Sequence, residues 1–299
     1  MADAPDPRDS EHVELELEPT IAGRVTRSLE RVRILKGRAD AARAHHSSVD
    51  LGFTLIERDS SIGGGLLAGA LAYRLFVLLL PTSLLLISGL GLYAGAVDES
   101  RITVAKRAGL HGLIGTEIAQ TAGSHSRGIV FVLMIPAVIY ALAALYRALA
   151  KIHAIIWLGS GRGVRITTAG VAVLGTVWIV QLASWEIFHW VRHESGGLAA
   201  LPVYVLLNGG AWLAVSLWLP HGAARWFALL PGAALFGVGL LLTTIFNIYV
   251  TTAIVEGRAN TYGALGIAAA LLFSMLLVGR LMVVSGELNA SLSERRPQR

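Results

Sequence analysis

Beyond Ser60 the chain is dominated by long apolar stretches that contain no charged residue. Each stretch is close to, or longer than, the roughly 20 residues that a helix needs to cross the ~30 Å hydrocarbon core of a bilayer. A helix of a water-soluble protein rarely stays uncharged for so long, because one of its faces meets water. The pattern therefore predicts a membrane protein. The stretches are Leu75–Val97, Gly128–Tyr146, Ile166–Trp185, Ser195–Pro220, Trp226–Val255 and Ala259–Gly279.

Within these stretches apolar residues follow one another without alternating at a period of two, so helices are favoured over a closed barrel. The fold class is thus predicted as all-α, a polytopic transmembrane helix bundle with six spans in residues 60–290, followed by a short tail at 291–299. Composition agrees, since 54% of residues are hydrophobic and 15% charged, and the mean hydropathy is +0.62. Such values are unusual for a soluble domain.

Residues 1–59 have a different character and are predicted to form a cytoplasmic tail. The start is acidic, polar and typical of disorder. Residues 20–44 are typical of a basic amphipathic helix, because Val25, Leu29 and Val32 form a narrow apolar stripe among arginines and lysines. Beside a membrane, such a helix usually lies on anionic headgroups. A plain solvated helix and a nucleic-acid-binding helix are the alternatives, and the lipid bilayer is the partner that the pattern favours.

The net charge of +5 reflects topology rather than a nucleic-acid partner. Most of the 25 Lys and Arg residues lie before Ser60, around the connection after the second span, or at the end of the chain. Loops rich in Lys and Arg stay on the cytoplasmic side of a membrane. The distribution predicts that the N-terminus and the C-terminus are both cytoplasmic.

The entry to the first span is ambiguous. Residues 62–74 begin with three glycines, Gly63 to Gly65, and are compatible with a re-entrant or interfacial segment or with the first turns of the span. Gly65 and Gly69 have the spacing that permits close helix approach. Pro81 lies within the first span and Pro231 near the start of the fifth. Each is predicted to kink its helix, because proline removes a backbone hydrogen bond.

Polar side chains within the spans are the candidates for function, because ionisable groups are costly in a bilayer. Arg74 either faces the bundle interior, as part of a polar path, or reaches back to the headgroups. Arg280 either reaches the cytoplasmic interface or pairs inside the bundle, with Glu287 as a candidate partner two helical turns away. The amides of Asn208 and Asn247 either hydrogen-bond between helices or line a path.

Signals for metal binding and catalysis are weak. The chain has no cysteine. Glu186, His189 and His193 share one helical face and form a weak metal candidate, whereas a hydrated span end is the simpler interpretation. No common motif for hydrolysis or nucleotide binding is present. The sequence therefore predicts no metal, no cofactor and no enzymatic activity.

Three segments carry a family resemblance. Ala68–Pro81, Leu230–Phe236 and the stretch from Tyr262 to Asn289 resemble the first, fifth and last spans of the YihY/BrkB membrane proteins. The resemblance implies a six-span protein of the bacterial cytoplasmic (inner) membrane with cytoplasmic termini. It supplies no agreed catalytic residues, and the family has been described as a presumed transporter. The family was once labelled as a ribonuclease. The carboxylates of this chain do not have the spacing of metal ligands that such an enzyme would need.

Three functions therefore remain open. A transporter-like bundle for a small solute or lipid-like molecule is favoured, a non-transporting membrane scaffold is the main alternative, and a membrane-tethered ribonuclease is disfavoured. A water-accessible cavity lined by groups such as Arg74, Asn208 or Glu287 would indicate transport. A fully packed bundle would indicate a scaffold.

Overall fold

A computed structural model describes residues 47–96, 124–161, 164, 167–194, 200–222, 224–247 and 252–295. All regular secondary structure within these residues is helical. The segment Thr54–Arg299 forms a compact unit, and the contacts described below lie within it. The helices are α1 (Ser47–Ile62), α2 (Gly64–Ala96), α3 (Ser124–Leu158), α4 (Thr168–Glu194), α5 (Ala200–Trp218), a short 3-10 helix (Trp226–Leu229), α6 (Leu230–Phe246) and α7 (Thr252–Arg295).

Five helical segments among the described residues are long and apolar enough to cross a membrane. A shorter apolar helix, Thr168–Leu182, lies in α4. Together they confirm the predicted polytopic helical bundle. The five long segments are Gly64–Leu90, Gly128–Leu158, Leu201–Trp218, Trp226–Phe246 and Ala268–Arg295.

The membrane helices pack as a closed ring. Each of α2 to α6 contacts the helix that follows it, and α7 returns to pack against α2. Among these neighbouring pairs, α3 and α4 contact each other least. Leu71, Leu78 and Leu149 are fully buried inside the ring, whereas Leu206 is exposed on its outside. Large exposed apolar residues are expected here because the outer face of such a bundle meets lipid rather than water.

Glycines allow the helices of one side of the ring to approach closely. A Cβ atom at Gly237 of α6 would come within 2.5 Å of the Val205 carbonyl oxygen of α5, and one at Gly279 of α7 within 2.6 Å of the Ala68 carbonyl oxygen of α2. Small residues at such crossings let backbones pack directly. The predicted close approach through Gly65 and Gly69 is absent, because a Cβ at either position would meet no atom within 4 Å in the described structure.

The glycine run at the start of the first span forms a sharp turn between two helices. Gly63 has a φ of 68°, a left-handed conformation that glycine adopts at no steric cost. Helix α1 ends at Ile62 and α2 begins at Gly64. Residues 64–74 are therefore the first turns of the span, which excludes the re-entrant alternative.

The two prolines that were predicted to kink their helices occupy different positions. Pro81 lies inside α2, where it removes a backbone hydrogen bond. Pro231 occupies the first turn of α6, where the missing N–H has no intrahelical partner to lose. The kinks themselves stay predictions. The amphipathic segment 20–44 lies outside the described residues.

Candidate functional site

A cavity of about 190 Å³ lies at the centre of the ring, and all of its six helices, α2 to α7, contribute to its wall. The wall is almost entirely apolar. Its polar side chains among the described residues are Gln181 and Asn208, together with the indole N–H groups of Trp178 and Trp212. The remaining wall residues are Leu75, Leu145, Leu174, Val177, Ala211, Val215, Phe236, Leu240, Met275, Val278 and Met282.

Helix α5 presents one continuous face to this cavity. Asn208, Ala211, Trp212 and Val215 are spaced three and four residues apart, which places them along a single helical stripe. The Trp212 ring stacks on Phe236 of α6, with ring centroids 4.7 Å apart and an interplanar angle of 19°. The stacking holds the indole at the junction of α5 and α6, so the orientation of its N–H is fixed by packing.

Two polar atoms on this face have no hydrogen-bond partner within the described part of the chain. Asn208 is fully buried, and its amide nitrogen donates to the Tyr204 carbonyl oxygen of the same helix at 2.8 Å. The Asn208 Oδ1 acceptor and the Trp212 Nε1 donor are both unsatisfied. Unsatisfied buried groups are uncommon in native proteins and often indicate a water or ligand position. Asn208 and Trp212 both line the cavity, so an acceptor and a donor without described partners belong to wall residues that are one helical turn apart.

A second cavity of about 460 Å³ adjoins the first between α2, α3 and α4. Trp178 of α4 belongs to the wall of both cavities. Its Nε1 donates to Thr82 Oγ1 of α2 at 3.3 Å. The Trp178 side chain is therefore a part of the wall that the two spaces share. The other wall residues of the second cavity are Leu85, Leu86, Val138, Leu142, Gly175, Ile179 and Leu182.

A cluster of charged residues lies at the end of the bundle where α1 meets α7. The Arg280 guanidinium of α7 donates two hydrogen bonds to the Asp59 carboxylate of α1, at 2.6 and 2.7 Å. Arg58 pairs with Glu294 at 2.9 Å and also donates to the Ile156 carbonyl oxygen at 2.6 Å. Bidentate guanidinium–carboxylate pairs are geometrically specific, so these contacts fix the end of α1 against α3 and α7.

Glu287 belongs to this charged cluster. Its side chain is 1% exposed and lies within electrostatic reach of Asp59, Arg280 and Arg58. Its Oε1 atom makes no hydrogen bond to the described residues. Both like and opposite charges surround this buried group, because Asp59 lies near it as well as the two arginines. Glu287 therefore lies beside the two ion pairs at the end of the bundle, and it is absent from the wall of the central cavity.

Of the residues that the sequence proposed for a polar path, Asn208 lies in the cavity wall. Arg74 is exposed on the outside of the ring, with its guanidinium carbon 5.9 Å from the Tyr73 ring centroid. Of its two predicted orientations, the exposure disagrees with the inward one and is compatible with the one that reaches towards headgroups. The neighbouring Leu75 faces the cavity instead. Asn247 accepts a 2.9 Å hydrogen bond from Ser274 of α7. Of its two predicted roles, this is the hydrogen bond between helices. Arg280 is paired with Asp59 rather than with the candidate partner Glu287.

The metal candidate Glu186, His189 and His193 lies in the part of α4 whose side chains are outside the described structure. Sequence reasoning missed Asp59, Trp178 and Trp212. The α5 stripe from Asn208 to Val215 was a usable signal for Trp212, because it places a polar and an aromatic residue on one helical face. No local pattern indicates the partner of Arg280, since Asp59 is 221 residues away in the chain.

Comparison with protein families gives one match. The family model described as Virulence factor BrkB matches residues 56–299, which include the second half of α1 and all the membrane helices. Comparison with curated proteins gives no match. Comparison with solved structures gives none either. The matched segment covers most of the chain and all of the cavity wall, and it contains the apolar helices of an integral, multi-pass membrane protein. The chain therefore belongs to the virulence factor BrkB family.

Proposed function

We propose that this protein is a transporter-like membrane protein whose central cavity holds a small solute during its passage. The observation that supports this function is the cavity of about 190 Å³ to which six helices contribute, with the unsatisfied Asn208 Oδ1 and Trp212 Nε1 atoms in its wall. An unsatisfied buried polar atom costs about 1–3 kcal/mol, and a bound solute that donates and accepts would satisfy both.

The size of the cavity limits what it can hold. A dry apolar cavity of about 150 Å³ accepts a benzene-sized molecule, and this one is slightly larger at about 190 Å³. The central space thus suits a small molecule or one part of a larger one. Its apolar wall favours an uncharged group, because an unpaired charge is strongly disfavoured there.

The proposal places the protein in the bacterial inner membrane with both termini in the cytoplasm, as the distribution of Lys and Arg indicates. The charged cluster of Arg58, Asp59, Arg280 and Glu287 would then lie on the cytoplasmic side. We propose no enzymatic activity, since the polar atoms of the central cavity wall provide hydrogen-bonding groups rather than an acid, a base or a nucleophile.

Cysteine accessibility tests this function directly, because the natural chain has no cysteine. Ala211 lines the cavity, whereas its neighbour Gly210 is exposed on the outer face and a Cβ there meets no atom within 4 Å. In membrane vesicles, Ala211→Cys should react with a small uncharged, water-soluble methanethiosulfonate reagent, because a transport cycle exposes the cavity to water and the reactive thiolate forms where water reaches the residue. Gly210→Cys, which faces lipid, should not react.

A scaffold predicts a different result. If the reagent labels a cysteine at the exposed loop residue Ser160 but never at residue 211, from either side of the membrane, the cavity stays closed to water and the transport proposal is wrong. Equal labelling at residues 210 and 211 would show that the helix is not oriented as described.

A further inference from the structure

We infer that the solute is a neutral, single-chain amphiphile that enters from the bilayer through the second cavity, with its tail between α2, α3 and α4 and its polar end beside Asn208 and Trp212. This inference rests on the proposed function and names the class of substrate and its route. The arguments for it come from the second cavity, from the contact between α3 and α4, and from Trp178.

The second cavity suits an acyl chain. Its volume of about 460 Å³ falls in the range of about 300–1,000 Å³ that is typical of ligand pockets. Apart from the Thr82 hydroxyl and the Trp178 N–H, which bond each other, its wall consists of apolar side chains and Gly175. Leu86, Ile179 and Leu182 of this wall are also exposed on the outside of the ring, where bilayer lipid lies. A lipid tail is thus the occupant that the surroundings supply.

The contact between α3 and α4 is the slightest among neighbouring helices of the ring. Elsewhere, the crossings of α2 with α7 and of α5 with α6 bring a backbone carbonyl against a glycine, which leaves no room for a chain. Helices α3 and α4 pack tightly near the start of α4, where a Cβ at Gly170 would overlap the Tyr146 ring of α3, but beside the second cavity a Cβ at Gly175 would meet the Leu142 Cδ1 atom at an ordinary 3.5 Å. The ring is therefore most easily entered at the second cavity.

Trp178 lies in the wall that this entrance shares with the central cavity. Among the described residues, the indole is tied across the gap by the 3.3 Å hydrogen bond from its Nε1 atom to Thr82 Oγ1, which is slightly longer than a typical N–H···O bond. The Thr82 hydroxyl already donates to the Leu78 carbonyl oxygen at 2.7 Å, so it acts as the acceptor. A rotation of the Trp178 side chain would join the two cavities, at the loss of this long hydrogen bond and of the packing of the indole against the core.

The chemistry of the two walls specifies the polar end of the solute. The described residues that line the two cavities include no charged side chain, so a charged headgroup would lose its hydration without compensation. The Asn208 acceptor and the Trp212 donor are complementary to a group that both donates and accepts. A hydroxyl, a primary amide or a neutral carboxyl group has this property.

Photolabelling tests the inference with a defined probe, a long-chain alcohol that carries a diazirine on its chain. The full-length protein in lipid nanodiscs is illuminated with the probe, and the labelled residues are mapped by mass spectrometry. We expect labels in the segments 82–86, 138–142 and 175–182. An excess of unlabelled long-chain alcohol should suppress them, whereas the same alkane without the hydroxyl group should not.

A matched pair of variants keeps the result independent of folding. Gly175→Leu places a side chain in the second cavity, whereas Ala172→Leu, on the same helix, adds the same side chain at an exposed position. Labelling should fall about tenfold in the first variant, equivalent to about 1.4 kcal/mol of lost binding, and remain unchanged in the second. Thermal unfolding of both variants shows whether either is misfolded.

Equal labelling of the two variants, or labels confined to the outer lipid-facing residues, would overturn the inference. The outcome is separable from that of the proposed function. If Ala211→Cys reacts with the aqueous reagent while the second cavity stays unlabelled, the protein transports a solute that enters from water. If Ala211→Cys does not react and the second cavity is not labelled, the transport function itself is wrong.

Discussion

Two asparagines in the apolar helices have opposite surroundings. The Asn247 side chain accepts a hydrogen bond from Ser274 on the neighbouring α7, whereas Asn208 bonds only to its own helix through its amide nitrogen, among the described contacts, and leaves Oδ1 unsatisfied. The first arrangement stabilises the bundle. The second leaves a buried acceptor that lowers the stability of the empty protein, which is the expected behaviour of a ligand-binding group.

Leucine substitutions distinguish these roles. Asn247→Leu should destabilise the protein by about 0.6–1.7 kcal/mol, the usual range for an interhelical hydrogen bond in a membrane protein. Asn208→Leu should leave the thermal unfolding temperature unchanged or raise it, because it removes an unsatisfied buried oxygen. Thermal unfolding in one detergent compares the two variants. A larger loss of stability for Asn208→Leu than for Asn247→Leu would mean that Asn208 has a structural role.

The candidate site was only partly predictable at this scale. Because polar groups are energetically unfavourable in a membrane, Asn208, Glu287 and Arg280 were identified as candidates, and each has a defined polar environment. The orientation of a side chain could not be predicted in the same way, because both the interior of the ring and the lipid outside it are apolar. Hydrophobic periodicity is therefore weak, and the sequence could not show that Leu75 faces inward while Arg74 faces outward.

The turn between α1 and α2 is the element on which the charged cluster depends. A Cβ atom at Gly64 would overlap the Asp59 carboxylate that binds Arg280, whereas one at Gly65 would meet no atom within 4 Å. The glycine at position 64 thus gives the ion pair its space, and the glycine at position 63 gives the chain its change of direction. The sequence showed three equivalent glycines, and the structure gives them different roles.

An alanine at each of two positions tests this assignment. Gly64→Ala should displace Asp59 from Arg280 and destabilise the protein by about 1–3 kcal/mol, the usual effect of an inserted methyl group in a packed site. Gly65→Ala is the control and should be neutral or stabilising by about 0.5–1 kcal/mol, since alanine is the better helix former. Thermal unfolding measures both. Equal destabilisation would show that the glycine run serves helix flexibility rather than the ion pair.

For the molecule as a whole, the bilayer made the fold largely predictable. Its thickness fixes the length of each apolar helix, so run length alone indicated the membrane helices. The extent of the helices beyond those runs was not predictable in this way. Helix α3 continues through Arg147 and Lys151 to Leu158 because both charged residues lie on an exposed face. Closure of the ring by α7 and α2 depends on contacts between distant glycines and carbonyl groups, which no local pattern contains.

The orientation of the molecule remains a prediction with a simple test. Ser160 lies exposed between α3 and α4, on the side predicted to be cytoplasmic, and Asn260 lies on the opposite side in the six-span topology. A cysteine at residue 260 should react with an impermeant maleimide in intact cells, and one at residue 160 only after the membrane is opened. Labelling of residue 160 in intact cells would reverse the topology.

The uncharged walls of the two cavities have an energetic consequence. Moving one elementary charge across a membrane changes its energy by about 2.3 kcal/mol per 100 mV, so the membrane potential strongly drives or opposes the passage of an ion. A neutral solute, moving between described walls that carry no charged side chain, would be almost indifferent to the potential. Without a coupled ion, its net direction would follow its own concentration gradient, and the protein would equilibrate the solute between the two sides rather than accumulate it.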